Sequence, residues 1–89
     1  MLVVQAYVLF KVSSGTEREV CQKIIGFEEV LGADIIYGEY DVIAEVAVPD
    51  LGVLENFLSE KMRNVPSVMI TSTMIVARKY KGKNSRAKK

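Results

Sequence analysis

The sequence predicts an α+β sandwich of ferredoxin-like type: a four-stranded antiparallel sheet, order 4-1-3-2, with two helices on one face. Three observations lead there. Segments of period two and of helical period follow one another as strand–helix–strand and again as strand–helix–strand. The second and third strands, in the middle of that string, are joined by a stretch of hairpin length, "YGEYD" at 37–41. A chain of 89 residues holds one such domain with one modest core.

The first strand is read over Val3–Val12. Val4, Ala6, Val8, Phe10 and Val12 fall on one face, and Val3, Gln5, Tyr7, Leu9 and Lys11 on the other. "SSGT" ends it. Thr16 and Glu19 then form a T-x-x-E pattern, a capping box that opens a helix. Val20, Cys21 and Ile24 give that helix its apolar side, and Gly26 is its expected stop. A second strand is expected from about Ala33 to Tyr37 and a third from Asp41 to Val48. "VPD" closes the third strand and places Asp50 as the cap of a second helix. Leu51, Leu54, Phe57, Leu58 and Met62 line one face of that helix. "NVPSV" ends it, and a fourth strand follows from about Val68 to Ala77.

The apolar faces Val4/Ala6/Val8/Phe10 and Val42/Ala44/Val46/Val48 belong under the helices. The opposite face is expected to carry Val3, Tyr7, Leu9, Ile43, Ala47, Ile75 and Ala77. Gln5, Lys11, Glu45, Thr71 and Thr73 are interspersed among them. With 49% apolar residues in so short a chain, a face of this kind marks an interface, and sheet-to-sheet dimerisation covers it.

Charge divides the chain in two. Residues 78–89 hold seven of the twelve Lys/Arg and none of the eleven Asp/Glu, so residues 1–77 carry a net −6. The expected organisation is a globular domain at 1–77 and a basic, disordered tail at 78–89. No run approaches the length of a membrane span, and Met1–Val12 has no basic leader. The single cysteine, Cys21, has no partner for an intramolecular disulfide and reads as a small buried hydrophobe. A cytoplasmic protein is expected.

Most site chemistries are missing. The chain has no histidine and one cysteine, which removes the commonest general base and the usual zinc sites. No phosphate-binding glycine loop follows the first strand, and Glu39 and Asp41 lack the spacing of a hard-cation loop. The sheet also lacks the aromatic pairs on which RNA-recognition domains stack bases. No catalytic residue, metal or cofactor is therefore assigned, and the chain reads as a non-enzyme.

One constellation remains. In a 4-1-3-2 sheet, Asp41 at the start of strand three, Lys11 at the end of strand one, and Thr71 and Thr73 in strand four share one end. Alternation places them on the helix-free face, with Asp41 about 10 Å from Thr71 and Lys11 between them. An acid, a base and two hydroxyls suit a zwitterion. A cross-strand Asp41–Lys11 ion pair beside β-favouring threonines is the plainer alternative.

"YGEYDVIAEV", with "TSTMIV" downstream, "AYVLFKV" at the start and "VPDLGVLENFL" before helix two, resembles the effector-binding RAM domain of the Lrp/AsnC transcription regulators. The likeness covers about residues 3–77. It implies dimers built through the sheets, assembly of those dimers into an octamer or decamer ring, and a free amino acid or similar small effector held between dimers. It places the hairpin contacts on Gly38, Glu39, Tyr40 and Asp41, and the last-strand contacts on Thr71, Ser72 and Thr73. Lys11 joins them from the topology. Such regulators carry a helix-turn-helix domain before this one, whereas here the first strand starts at the N-terminus. The expectation is a stand-alone module without sequence-specific DNA binding of its own, co-assembling with full-length regulators. "GFEEVLGAD" stands where the family commonly has a Pro-Gly turn. Two other readings stay open: a small dimeric α+β barrel enzyme, and a structural adaptor that takes no ligand.

Overall fold

A computed structural model describes residues 3–84. The last part of the basic tail, 85–89, lies outside the described residues. The elements run β1 (Val4–Val12), α1 (Glu17–Ile24), β2 (Val30–Ile35), β3 (Val42–Val48), α2 (Leu51–Glu60), a 3-10 turn (Met62–Asn64) and β4 (Val68–Ile75). The sheet is antiparallel throughout, in the order β2-β3-β1-β4, which is the predicted order read from the other edge.

The core follows from the alternation. Ala6, Val8, Phe10 and Val12 of β1 and Val42, Ala44, Val46 and Val48 of β3 are all buried. Val20 and Ile24 of α1, Leu54 and Phe57 of α2, and Met62 and Val65 beyond it close over them. Each large side chain buried in this way contributes about 1.5–3 kcal/mol. Helix α1 packs on β2 and β3, and α2 packs on β3. Only Val68 of β4 packs against this core; the rest of the strand is exposed or half-buried.

The two helix starts differ from each other. Asp50 is extended (φ −155°, ψ 174°), and its Oδ1 accepts a hydrogen bond from the Val53 N–H at 2.9 Å, as predicted for a cap. Thr16 does not cap α1. At φ −106°, ψ 8° it sits in a tight turn, and its hydroxyl donates backwards to the Ser13 carbonyl at 2.6 Å. Gly15, at φ +86°, makes that turn, so the hydroxyl is aimed away from the helix amides.

The strand boundaries shift where the ladders are irregular. Strand β2 begins three residues before the expected Ala33. Val30 opposes Val46 and Gly32 opposes Glu45, so Leu31 is an extra residue that hides the period-two pattern. A second irregularity has larger consequences. Val12 opposes Val68, but Lys11 opposes Ile70, leaving Met69 as the extra residue of β4. From there the alternation of β4 is inverted. Thr71, Thr73 and Ile75 oppose Phe10, Val8 and Ala6, and so share the helix-side face. Ile70, Ser72 and Met74 oppose Lys11, Leu9 and Tyr7 on the helix-free face. The expected placement of Thr71, Thr73 and Ile75 on that face is thereby corrected. Ala77 lies past the end of the strand.

The helix-free face still carries a broad apolar patch of Tyr7, Leu9, Ile43, Ala47, Ile70 and Met74. Ile70 and Met74 are more than half exposed. On the helix layer, Lys61 Nζ lies 3.0 and 3.1 Å from the two carboxylate oxygens of Glu29. It also stands 5.7 Å from the Phe27 ring and 5.9 Å from the Phe57 ring, which meet edge to face. The contact ties the segment after α1 to the end of α2. Among the described residues no helix is long and apolar enough to cross a membrane.

Candidate functional site

The hairpin between β2 and β3 is anchored by Asp41. Its carbonyl accepts from the Ile36 N–H at 2.9 Å, and its own N–H donates to the Phe10 carbonyl at 2.8 Å. Its side chain does further work, because Oδ2 accepts the Val12 N–H at 3.0 Å. The β1–β3 ladder has run out by that point, so the carboxylate continues it by one rung. A hydrogen bond to a charged acceptor contributes about 1.5–3 kcal/mol. Oδ1 of the same carboxylate has no hydrogen-bond partner among the described residues.

The rest of the hairpin is open. Gly38 sits at φ +144°, a conformation that side-chain-bearing residues rarely adopt, with no atom within 4 Å of where a Cβ would stand. Tyr37 and Glu39 are exposed, and Tyr40 is half-buried. Beside the hairpin lies a depression of about 470 Å3. Gly15, Glu17 and Arg18 at the start of α1 form one wall, and Ile35, Ile36, Tyr37, Gly38 and Asp41 form the other. It offers two carboxylates, one guanidinium, an apolar side and two glycines. That set is able to hold a small molecule bearing both an ammonium and a carboxylate.

The structure gathers only some of the residues named from the sequence. Gly38 and Asp41 line the depression together. Lys11 is half-buried on the helix-free face, opposite Ile70. The ion pairs among the described residues are Lys61–Glu29 and Lys79–Glu45, so the plainer Asp41–Lys11 pairing does not form. Ser72 shares the face of Lys11, opposite Leu9, while Thr71 and Thr73 turn to the other side as exposed residues. Glu39 and Tyr40 belong to the hairpin without lining the depression.

Arg18, Glu17 and Gly15 were not singled out from the sequence as site residues. A signal was there. In this topology the loop leaving β1 and the hairpin entering β3 share one end of the sheet, so the start of α1 must pass close to Gly38. Among the described residues no group of three His, Cys, Asp or Glu is placed to hold a metal ion.

The family model for the Lrp/AsnC ligand-binding domain matches residues 5–85. The HTH-type transcriptional regulator FL11 of Pyrococcus abyssi is 30% identical over 76 residues, which make up 85% of this chain and 50% of FL11. The chain thus spans about half the length of the curated relatives it matches. The crystal structure of the hypothetical protein PHS023 from Pyrococcus horikoshii superposes with a TM-score of 0.80 at 40% identity, covering 86% of this chain and 93% of that one. The transcriptional regulator NMB0573 of Neisseria meningitidis, in complex with L-Met, shares the fold. Its TM-score is 0.80 at 19% identity, over 92% of this chain and 55% of that one.

Proposed function

The chain belongs to the Lrp/AsnC ligand-binding domain family, and from that premise we propose that it is an effector-binding and oligomerisation unit. It takes a free amino acid or a similar small effector, dimerises through the helix-free sheet face, and assembles those dimers into a ring of octamer or decamer size. It acts without catalysis, in the cytoplasm, by altering how full-length regulators co-assemble with it. The observation that carries the reading is the state of Asp41. One carboxylate oxygen is fixed by the Val12 N–H while the other has no partner among the described residues, next to a glycine that leaves room for a ligand.

In this reading Asp41 Oδ1 receives the effector's ammonium. Backbone donors of Gly38–Tyr40 and the Arg18 guanidinium face its carboxylate. Lys11, Ser72, Thr71 and Thr73 act from the neighbouring dimer across the assembly. The amino-acid class is supported by the L-Met held by NMB0573, a protein of the same fold, and by the mixed charges of the depression. Thermal unfolding and calorimetry against the twenty amino acids test the reading. At least one is expected to raise Tm and release or absorb heat, and Asp41→Asn is expected to abolish both. A panel without any shift removes the effector role.

A second reading has one observation in its favour. Asp41 already performs a structural task in continuing the β1–β3 ladder, as a ligand-free adaptor requires. Such an adaptor forms the same ring with and without amino acids, and native mass spectrometry separates the two by ligand mass and stoichiometry.

A further inference from the structure

An acid stands in the middle of the apolar helix-free face. Glu45 opposes Tyr7 on β1 and Gly32 on β2, with Ile43 and Ala47 on either side along β3. Its side chain retains 36% exposure. Covering this face with a second copy strips water from the carboxylate, which is strongly unfavourable when no counter-charge comes with it. An isologous contact also repeats the acid on both sides of one interface, adding like-charge repulsion to desolvation.

The counter-charge comes from the chain beyond β4. The Val76 N–H donates to the Gln5 carbonyl at 2.8 Å, holding the exit of β4 against β1. Three residues later Lys79 Nζ reaches within 3.6 Å of Glu45 Oε2, on the far side of β1. The arm therefore crosses the central strand on the helix-free side. No other cation is paired with Glu45 among the described residues.

We infer that residues 76–79 are part of the surface that meets a second copy of this chain, and that Lys79 is the counter-ion that allows Glu45 to be buried there. The inference rests on the reading of the helix-free face as the dimer surface. A second copy is the occupant because the pair leaves Tyr7, Leu9, Ile43, Ala47, Ile70 and Met74 on a face without net charge at its centre. Such a face is complementary to itself. An acidic or basic partner would find no unpaired opposite charge at Glu45.

Sedimentation velocity over a dilution series tests this with wild type, Lys79→Met, Glu45→Gln and the double variant. Circular dichroism confirms that each is folded. Lys79→Met leaves two carboxylates unpaired per interface and is expected to weaken dimerisation by about tenfold or more. Glu45→Gln is expected to dimerise at least as tightly as wild type. The double variant is expected to follow Glu45→Gln rather than Lys79→Met, because a neutral amide needs no counter-ion. A Lys79→Met dimer as tight as wild type, or a double variant as weak as Lys79→Met, overturns the role of Lys79 while leaving the dimer reading intact. A wild type that stays monomeric at every concentration overturns both.

Discussion

At the scale of single residues, the hairpin separates backbone demands from side-chain demands. Gly38 has free space around it but a backbone conformation that other residues resist. Gly38→Ala is therefore expected to lower stability by about 1–3 kcal/mol in urea titration. Gly32→Ala, which meets open space without positive φ, should show no such loss. Asp41→Ala orphans the half-buried Val12 N–H and is expected to cost about 1–3 kcal/mol. Asp41→Asn keeps an acceptor and should recover most of that, which lets ligand binding be scored apart from folding. Cys21 is half-buried, and its thiol pKa is raised first by burial and then by the Asp34 carboxylate. The thiol should react with a disulfide reagent more slowly than free cysteine at the same pH, and Asp34→Asn should speed it up. Gly38 and Asp41 were legible as neighbours because a hairpin brings them together locally. Arg18 lines the same depression; the topology brings the start of α1 to that end of the sheet, but which of its side chains faces the hairpin depends on how α1 is seated over β2 and β3.

At the scale of elements, Thr16 and Asp50 looked alike as helix caps and are not. Asp50→Ala is expected to cost about 1 kcal/mol in chemical unfolding, and Thr16→Ala about 0.5 kcal/mol or less. The difference lies in backbone angles that Gly15 imposes, which no pattern of hydrophilic residues reveals. The same holds for strands. Strands β1 and β3 were legible because their ladder is regular and their alternation unbroken. Strands β2 and β4 each contain one extra residue, Leu31 and Met69, and alternation counted through an extra residue assigns everything beyond it to the wrong face. That single displacement put Thr71 and Thr73 beside Lys11 in the sequence reading, whereas Ser72 occupies that face.

At the scale of the whole molecule, the order of strands was legible because the string of elements and a short hairpin admit few topologies. The apolar helix-free face was legible too, although Ile70 and Met74 replace Ile75 and Ala77 in it. Leu9 lies at its centre, between Ile43 and Ser72. Leu9→Glu is expected to leave a folded monomer in sedimentation analysis, since it adds an unpaired charge to a surface that the proposed dimerisation dehydrates. The two ends of the sheet's chain also lie side by side: Ala6 opposes Ile75, and Gln5 is bonded to Val76. Force applied through those two points acts across the β1–β4 ladder rather than along it, so the rungs are loaded one after another. A tether pulling there would peel β4 from the edge at low tension while Phe10 and Val8 remain gripped by β3. The domain is thus mechanically soft along the line joining its ends, however firmly its core resists heat or denaturant.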